Sequence, residues 1–505
     1  MTTTNRLRPD PRAENELLDE RVRPPSWTNP EPAHRYDLAV LGAGTAGLVA
    51  AAGAAGVGAR VALVERDRMG GDCLVTGCVP SKALLRTSRV ASLARDAASY
   101  GVGTGPVEVD FPAAMERMRR LRAELSVHDS AARFRDLGVD VFFGAGRFAS
   151  TDSLDVAGTT IRFRRAVVAT GARPSLPAIP GLAEARPLTS ETVFELERLP
   201  ARLVVIGAGP IGCELGQAFA RLGSAVTIVS RGKGILPREE PDAATVVAEA
   251  LRRDGVSLVE RATVLRVERD GAVVRIGWRT PDGESSESCD ALLVATGRTP
   301  NVEGLDLDRA GIATGPDGLV VDPRLRTTNP RVWASGDVCL GARFTHAADA
   351  SSRLVLRNAL FAGRARFADL VVPHCTYTDP ELASVGLGPA SAERAGIPID
   401  TFEVPMSAVD RAVLDGETDG FLRVHVRRGS DHIVGATAVG AHAGETLAEI
   451  VLAMTTGIGL GRLSAAIHAY PTRADAVRKA ADAWQRTRLT PFTKRLLSTW
   501  IRLRR

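Results

Sequence analysis

The sequence predicts an α/β protein with two dinucleotide-binding units followed by a further α/β domain. Three observations lead to this prediction. A buried strand runs into a glycine-rich loop at 36–47, a second unit of the same kind begins at 203, and from about residue 367 strands and helices continue without such a loop. Because 505 residues exceed what one hydrophobic core supports, several domains are expected.

The first unit reads YDLAVLGAGTAG from residue 36 and continues as an alanine-rich stretch that is typical of a helix. Gly42, Gly44 and Gly47 occupy the GxGxxG positions between strand and helix, where glycine lets the backbone approach a pyrophosphate at the helix N-terminus. The next strand ends at Glu65, whose carboxylate is placed to accept hydrogen bonds from ribose hydroxyls. This order of strand, glycines, helix, strand and acid predicts a Rossmann-like dinucleotide site.

Directly after this unit the chain reads GGDCLVTGCVPSK at 70–82, with two cysteines five positions apart. On an unbroken helix Cys73 and Cys78 would be separated by about 140° around the axis, so a turn is needed to pair them. Gly77 gives the backbone freedom for that turn, and Pro80 suits the first turn of a helix that begins near Cys78. A thiol at a helix start is biased toward the thiolate. The spacing alone leaves open a redox-active disulfide, a structural disulfide or two inert buried thiols.

This stretch resembles the redox motif GGTCxxxGCxPSK of the FAD-dependent pyridine nucleotide-disulfide oxidoreductases, and the resemblance extends from about residue 36 to about residue 481. It implies that Cys73 and Cys78 form a redox-active disulfide, with Cys78 against the flavin and Cys73 facing the substrate. It also places Lys82 near the flavin and makes Glu214, in the helix of the second unit, its candidate ion-pair partner. The first dinucleotide is therefore expected to be FAD.

Further motifs of this family that would hold FAD recur along the chain. By resemblance they contribute Thr170, Gly171, Gly297, Gly336 and Asp337. Asp337 would contact the ribitol of FAD, and Thr345 would open the helix beneath the flavin. Since these segments flank the second unit, the FAD domain is expected to be split in sequence.

The second unit reads LVVIGAGPIG from residue 203 and places three glycines in the GxGxxG positions, Gly207, Gly209 and Gly212. Two such units suggest a flavin and a nicotinamide. The strand that follows ends at Ser230 and Arg231 rather than at the acid that reads the ribose 2′-hydroxyl of NADH. Loss of the acid removes repulsion against a 2′-phosphate, and Arg231 with Lys233 can pair with it, so NADPH is expected, with NADH as the alternative.

The motifs divide the chain into six segments. We expect a disordered extension at 1–34, an FAD domain in two parts at 35–187 and 320–366, an NAD(P)H domain at 188–319, a dimerisation domain at 367–483 and a basic amphipathic tail at 484–505. The extension is rich in Pro, Arg, Glu and Thr and lacks hydrophobic periodicity. In the family each active site borrows residues from the dimerisation domain of the other subunit, so a homodimer is expected.

The C-terminal domain departs from the thiol–disulfide members of the family, whose His-Pro-Thr-x-x-Glu stretch carries the histidine that moves protons for the first cysteine. Here Tyr470 is aligned with that histidine and Asp475 with the glutamate, while His468 lies two residues earlier. A phenol with a usual pKa of about 10 is a poor base at neutral pH. By resemblance, mercuric reductases also have tyrosine at this place, yet their vicinal C-terminal cysteine pair is absent, because no cysteine follows Cys375.

The electron acceptor therefore stays open among three classes. A thiophilic small-molecule or metal-ion acceptor, as in a mercuric reductase, is favoured. A disulfide, as in a dihydrolipoamide dehydrogenase-like reductase, is the second interpretation. A flavin-direct quinone reductase or a membrane-docked flavoprotein is the third.

Charge and composition limit the other partners. The net charge of +5 is concentrated in 486–505, which carries seven Arg or Lys and no acid, so the pI near 9 does not indicate nucleic acid binding. After Pro491 apolar residues recur at helical spacing, which predicts a helix that docks on its own domain or on a second subunit, or else lies on an anionic membrane surface. No apolar run has the length of a membrane span and no signal-peptide pattern is present, so a cytoplasmic protein is expected. No metal site is expected, and four isolated cysteines are predicted to be small buried residues, Cys213, Cys289, Cys339 and Cys375.

Overall fold

A computed structural model describes residues 11–505, and its side chains are described from residue 13. The chain forms two compact structural units, and their boundaries differ from those of the two dinucleotide-binding stretches. The first comprises the described residues up to Gly207, from residue 11, with Ala218–Thr227 and Thr263–Asp369, and the second comprises Ala208–Gln217, Ile228–Ala262 and Leu370–Arg505. Both contain α-helices and β-strands, as the predicted α/β class requires.

The strands, in chain order, are β1 (Tyr36–Leu41), β2 (Val61–Glu65), β3 (Val139–Phe143), β4 (Gly146–Ser150), β5 (Ser153–Val156), β6 (Thr159–Val168), β7 (Ala172–Pro174), β8 (Arg202–Ile206), β9 (Ala225–Val229), β10 (Ser257–Val259), β11 (Thr263–Asp270), β12 (Val273–Thr280), β13 (Gly283–Cys289), β14 (Ala291–Val294), β15 (Arg298–Pro300), β16 (Thr314–Gly315), β17 (Gly318–Leu319), β18 (Val332–Ala334), β19 (His374–Thr376), β20 (Glu381–Gly386), β21 (Ile399–Pro405), β22 (Phe421–Arg427) and β23 (Ile433–Gly440).

The α-helices are α1 (Pro11–Val22), α2 (Thr45–Gly56), α3 (Gly71–Val75), α4 (Cys78–Asp96), α5 (Phe111–Leu125), α6 (Ala131–Asp136), α7 (Pro210–Leu222), α8 (Pro241–Arg253), α9 (Thr345–Leu360), α10 (Pro389–Arg394), α11 (Asp410–Leu414), α12 (Ala443–Thr456), α13 (Leu460–Leu463), α14 (Asp475–Thr487) and α15 (Pro491–Leu503).

The first unit is built on a seven-stranded sheet of order β3-β2-β1-β6-β5-β4, with β18 paired to β6. The strands β1, β2, β3, β6 and β18 run parallel to their neighbours, whereas β4 and β5 form an antiparallel meander with the start of β6. Helices α2 and α9 pack together on one face, where the small residues of α2 permit a close approach. The parallel centre is hydrophobic on both faces, as a strand covered on both sides must be.

The second nucleotide unit has a four-stranded sheet of order β10-β9-β8-β14 and an antiparallel hairpin sheet of order β11-β12-β13. Strands β8 and β14 run parallel, with Leu203 opposite Ala291. Strands β7 and β15 form a two-stranded antiparallel sheet. It pairs the segment that leads into the second nucleotide unit with the segment that follows it.

The N-terminal extension is not disordered where the structure describes it, so that prediction is wrong for residues 11–34. Leu18 and Val22, four positions apart on one face of α1, are fully buried in the core of the first unit. The indole of Trp27 donates to the carbonyl of Val141 at 3.1 Å, and the Asn29 amide pairs with the backbone of β3. The composition concealed this order because few of the described side chains of α1 are apolar. Residues 1–10 lie outside the described part of the chain.

The last domain, in the second unit, has a five-stranded antiparallel sheet of order β19-β20-β23-β22-β21. Helices α12 and α14 cover one face and build a separate hydrophobic core with β22 and β23. After α14 the chain forms α15, in which no residue is buried. Within residues 11–505, no helix combines the length and apolar character needed to cross a bilayer.

Candidate active site

The redox stretch folds as two helices separated by a break. Helix α3 carries Cys73, the chain turns at Thr76 and Gly77, and α4 begins at Cys78 with Pro80 in its first turn. Gly77 has a φ of −123°, so it does not supply a left-handed conformation. Glycine is required there because an added Cβ would lie only 2.7 Å from the carbonyl oxygen of Asp72. The predicted turn is present, and its physical reason is close packing.

The break brings the two thiols together. Cys73 is half-buried and Cys78 is more exposed. A hydrogen bond between the two thiols and the burial of Cys73 raise the pKa of Cys73 well above its usual range. The sulfur of Cys78 also lies 3.3 Å from Oγ1 of Thr345, the first residue of α9. Two thiols in hydrogen-bond contact need only a small movement to form a disulfide. This proximity favours a redox-active pair over two inert buried thiols.

The first phosphate loop fits a dinucleotide. Gly42 has a φ of +102°, and an added Cβ would lie 2.5 Å from the Ala169 carbonyl oxygen. Gly44 precedes α2 as its N-cap residue, and a Cβ on Gly47 would collide with the carbonyl of Gly42. The loop therefore leaves the N–H groups at the start of α2 open to a pyrophosphate.

Glu65 ends β2 in a buried position. Its carboxylate accepts from the backbone N–H of Ala43 at 2.7 Å and from that of Asp67 at 2.8 Å. Burial raises the pKa of Glu65, and the two N–H groups oppose that shift. The side chain is thereby fixed beside the phosphate loop, which suits the predicted contact with a ribose.

The redox stretch packs directly on this loop. The N–H of Gly70 donates to the carbonyl of Ala43 at 2.8 Å, and a Cβ on Gly71 would lie 2.7 Å from the Cα of Gly44. The cysteine loop and the dinucleotide loop are therefore held as one piece. The sequence predicted both loops but not their contact.

The segment with Thr170 and Gly171 interlocks with the segment that follows Gly297. The hydroxyl of Thr170 donates to the carbonyl of Asn301 at 2.7 Å, and the Asn301 side chain returns a bond to the carbonyl of Thr170 at 2.9 Å. The N–H of Asn301 donates to the carbonyl of Gly171, and both Gly171 and Gly297 have positive φ values. These residues form the crossing of the two segments that connect the nucleotide units.

Arg298 joins the candidate site, although it was not predicted from the sequence. Its guanidinium is ion-paired with Asp72 and lies 3.5 Å from Asp337. Burial raises the pKa of Asp337, and the charge of Arg298 opposes the shift. Asp72 stands where the family motif GGTC has threonine, and this departure was the available signal that its carboxylate needs a cation.

The turn at Gly336 and Asp337 lies against α2 and α9. A Cβ on Gly336 would lie 3.2 Å from the Cβ of Ala46 on α2. The hydroxyl of Ser335 bonds to those of Ser351 and Ser352 on α9, at 2.7 Å in each case. This buried serine cluster fixes the position of Asp337 at the end of β18.

The second glycine loop follows the same construction. Gly207 has a φ of +111°, and its Cβ would lie 2.4 Å from the Ala295 carbonyl oxygen. Gly209 lies in open space just before α7, and Gly212 is buried in the first turn of that helix. These positions are those that a second pyrophosphate requires.

Glu214 is buried, so it is not a solvated helix residue. Its carboxylate accepts from the backbone N–H of Tyr377 at 2.9 Å, within the second unit. Lys82 is half-buried, one turn after Cys78 in α4. The proposed ion pair between Lys82 and Glu214 stays a prediction.

Several basic side chains lie in the loop that follows β9. The hydroxyl of Ser230 donates to the carbonyl of Gly234 at 3.0 Å, which closes a short loop that exposes Arg231 and Lys233. The N–H of Arg261 donates to the carbonyl of Gly232 at 2.9 Å, so a third exposed cation joins the same loop. Arg261 could not be assigned from sequence because it enters from the far end of β10.

Tyr470, Asp475 and His468 have different environments. Tyr470 is 74% exposed, and its hydroxyl donates to Asp410 at 3.0 Å, a bond that raises the pKa of the phenol. Asp475 begins α14; burial would raise its pKa, but ion pairs with Arg478 and a neighbouring lysine lower it. The His468 side chain is only 9% exposed. Its Nε2 lies 2.9 Å from the carboxylate of Glu449, and its Nδ1 lies 3.1 Å from the carbonyl of Ala466.

The isolated cysteines follow the prediction in part. Cys213 and Cys289 are buried, whereas Cys339 and Cys375 are half-buried. Among residues 11–505, no cluster of three or more His, Cys, Asp or Glu side chains is arranged to hold a metal ion.

Two glycine cradles for dinucleotides, with a dithiol loop packed on the first, define a redox protein of the flavin and nicotinamide class. Comparison with known proteins identifies residues 36–352 as a pyridine nucleotide-disulphide oxidoreductase domain and residues 372–481 as the dimerisation domain of the same family. The chain belongs to the pyridine nucleotide-disulphide oxidoreductase family. The predictions of family, of fold class and of FAD with NAD(P)H are thereby confirmed.

Three relatives illustrate the range of the family. A mercuric reductase of Lysinibacillus sphaericus is 35% identical over 457 residues, covering 89% of this chain and 84% of the relative. A dihydrolipoyl dehydrogenase of Chlamydia muridarum is 34% identical over 457 residues, covering 88% and 96%. The Cu(II) complex of the HOCl-induced flavoprotein disulfide reductase RclA of Escherichia coli is a structural neighbour with a TM-score of 0.78 and 29% identity, covering 87% of this chain and 98% of that one.

Proposed function

We propose that this protein is an NADPH-dependent reductase that passes electrons through FAD and the Cys73–Cys78 pair to a thiophilic acceptor such as Hg(II), in the manner of a mercuric reductase. The observation that carries the choice of acceptor is the arrangement around Tyr470. A phenol that donates to Asp410 stands where the disulfide-reducing members have their histidine base.

The residues of the first unit fit FAD. The Gly42–Gly47 loop would hold the pyrophosphate, Glu65 a ribose, and Asp337 the ribitol. When bound, FAD would supply the two-electron step between the nicotinamide and the disulfide. The protein places Cys78 at a helix start, with its sulfur 3.3 Å from Oγ1 of Thr345.

The nicotinamide site favours a 2′-phosphate. Arg231, Lys233 and Arg261 surround one loop at the end of β9, and no acid ends that strand. Three cations can pair with the two charges of the phosphate, while NADH would leave them without a partner. NADPH is therefore the proposed donor.

The acceptor follows from proton chemistry. Reduction of a disulfide releases a thiolate that needs a proton, whereas reduction of a soft metal ion does not. The bond to Asp410 raises the pKa of Tyr470, so the phenol stays protonated and cannot act as the base. In this proposal His468 does not act as the base, because its ring nitrogens already contact the Ala466 carbonyl and the Glu449 carboxylate and its side chain is only 9% exposed.

Oxidation of the dithiol is balanced by the acceptor. When Cys73 and Cys78 return to the disulfide, two electrons and two protons leave the pair. Hg(II) would take the two electrons and become Hg(0), and the two protons would pass to solvent water. Thiolates are the ligands that such a soft ion prefers. The mercuric reductase relatives and the Cu(II) complex of RclA support an acceptor of this kind.

Reduction of a small-molecule or protein disulfide is the second candidate. One observation favours it, since His468 and Glu449 form the histidine–carboxylate pair that such a reaction uses. The dihydrolipoyl dehydrogenase relative also supports it. A flavin-direct quinone reductase is a third class, in which the cysteines would be dispensable. In every case the dimerisation domain supports a homodimer.

An acceptor panel tests the proposal. NADPH oxidation by the purified holoenzyme is followed with Hg(II) in excess thiol, with oxidised lipoamide, with glutathione disulfide and with a quinone. The proposal expects turnover with Hg(II) and at least about tenfold less with either disulfide. Turnover with a disulfide alone would establish the second candidate, and quinone turnover that survives Cys73→Ser would establish the third.

A further inference from the structure

The C-terminal helix α15 presents an apolar face that nothing in the described chain covers. Six large apolar side chains on it are between 51% and 78% exposed. They are Phe492, Leu496, Leu497, Trp500, Ile501 and Leu503. The expectation that this helix docks on its own domain is therefore wrong, because no residue of α15 is buried.

The helix is well formed despite its exposure. The hydroxyl of Thr490 accepts from the N–H of Thr493 at 3.2 Å and caps the N-terminus, and Pro491 occupies the first turn. At the other end the guanidinium of Arg504 lies 4.7 Å from the ring centroid of Trp500. Local contacts thus set the helix and leave its apolar face for another partner.

The apolar and basic side chains of α15 lie mostly on different faces. With about 100° per residue, the six apolar positions fall within an arc of roughly 180°. Arg495 and Arg502 fall near the centre of the opposite arc, and Lys494 falls at its edge. Residues 486–505 carry seven Arg or Lys and no Asp or Glu. The segment is therefore cationic along its whole length as well as amphipathic.

The charge of this segment favours an anionic lipid surface over a second α15 helix as the partner. In a pair of α15 helices from two subunits, the apolar faces would meet only by bringing two strongly cationic segments together, which is unfavourable. An anionic lipid surface offers the opposite charge to the Arg and Lys side chains and an apolar boundary to Trp500 and its neighbours. Long basic side chains can extend from the helix toward headgroup phosphates while the apolar face enters the acyl boundary.

We propose that α15 is a peripheral membrane anchor that binds an anionic lipid surface with its apolar face buried in the headgroup region. The homodimer supported by the dimerisation domain carries two such helices. Two anchors that reach one surface raise the effective affinity well above that of a single helix. The anchor does not depend on which acceptor the enzyme reduces.

The test is cosedimentation of the full-length holoenzyme with vesicles. Vesicles of phosphatidylcholine with phosphatidylglycerol are compared with vesicles of phosphatidylcholine alone. We expect binding to the anionic vesicles that is at least about tenfold stronger and that weakens as salt is raised.

Two sets of variants separate the contributions. Trp500→Ser with Phe492→Ser removes much of the apolar face, and Lys494→Gln with Arg495→Gln and Arg502→Gln removes basic charge. Because α15 buries nothing, each set is expected to lower binding about tenfold or more while NADPH oxidation in solution is unchanged. The matched control replaces three exposed arginines of the first unit, Arg186, Arg309 and Arg324, by glutamine and should bind like the wild type.

Three outcomes would overturn the proposal. The wild type could fail to bind anionic vesicles, or the α15 variants could bind as well as the wild type. The third is that the apolar-face variant becomes monomeric by light scattering, because α15 would then be a subunit interface. Loss of vesicle binding with an unchanged dimer supports the anchor.

Discussion

Asp72, the residue immediately before Cys73, is ion-paired with Arg298, which lies 226 positions later in the chain. The same guanidinium lies 3.5 Å from Asp337. One side chain therefore joins the redox loop to the turn at which the ribitol of FAD is expected. We therefore expect the position of the cysteine pair relative to bound FAD to depend on this connection.

Replacement of Arg298 should be costly. In Arg298→Gln the carboxylates of Asp72 and Asp337 lose their shared cation in a largely buried place, and we expect a loss of about 3 kcal/mol in the free energy of unfolding. FAD should also dissociate more readily. Urea unfolding and the FAD content after gel filtration measure the two effects.

Arg279→Gln is the control, since the pair of Arg279 with Glu284 is exposed on a hairpin and should contribute less than about 1 kcal/mol. Equal unfolding midpoints for the two variants would show that the Arg298 connection does not matter.

The sequence predicted the local parts of the site well. The glycine cradles and the turn between Cys73 and Cys78 depend on neighbouring residues, so their patterns are visible in a single sequence. The partners of Asp72 and the order of α1 depend on residues more than forty positions away, such as the pair of Asp19 with Arg68. A one-dimensional pattern contains no record of such contacts, and the separation of Tyr470 from His468 likewise needed the backbone path.

The cysteine pair should be essential for acceptor reduction. Cys78→Ser removes the thiol beside Thr345 and leaves the glycine cradle intact, so we expect bound FAD with acceptor reduction lowered at least about a hundredfold. Cys375→Ser, outside the redox motif, is the matched control and should keep activity. Steady-state NADPH oxidation and the flavin absorbance are the readouts. Near-normal Hg(II) reduction by Cys78→Ser would move the chemistry to the flavin alone.

The lowered pKa of Glu240 predicts that the stability of the fold depends on pH. Burial would raise its pKa, but hydrogen bonds from His425, Thr437 and Arg423 outweigh burial and hold the pKa at about 2, below the usual 4.5. A depressed carboxyl pKa stabilises the fold above about pH 4.5, and this contribution is lost as the pH falls toward 2.

Glu240→Gln should therefore cost about 2 kcal/mol at neutral pH and little near pH 2. Urea midpoints measured across this range test the sign, with Glu284→Gln as an exposed control. A difference between wild type and Glu240→Gln that stays constant with pH would contradict the expected linkage.

Cofactor choice should depend on the cations after β9. Replacing Arg231 and Lys233 by glutamine is expected to lower kcat/KM for NADPH about tenfold or more and to leave NADH turnover nearly unchanged, because only NADPH carries the 2′-phosphate. Arg261→Gln should act in the same direction. Arg252→Gln, whose partner Glu260 lies on the same surface, is the control. A wild-type preference for NADH would reverse this assignment.

A substitution at Tyr470 should distinguish Hg(II) from a disulfide as the acceptor. Tyr470→His would introduce an imidazole at the position of the family base and should raise turnover with disulfides by about tenfold or more, while Hg(II) turnover changes little. Tyr470→Phe, which loses only the bond to Asp410, is the conservative control. The acceptor assignment fails if Tyr470→His leaves disulfide turnover unchanged and abolishes Hg(II) turnover.

The central claim is that electrons from NADPH reach the Cys73–Cys78 disulfide. The most direct measurement is anaerobic addition of one equivalent of NADPH to the oxidised holoenzyme, followed by alkylation in denaturant and peptide mass spectrometry. New alkylation is expected at Cys73 and Cys78 together, with the other four cysteines labelled equally before and after reduction. Oxidation of NADPH without any new alkylation at these two cysteines would contradict this claim.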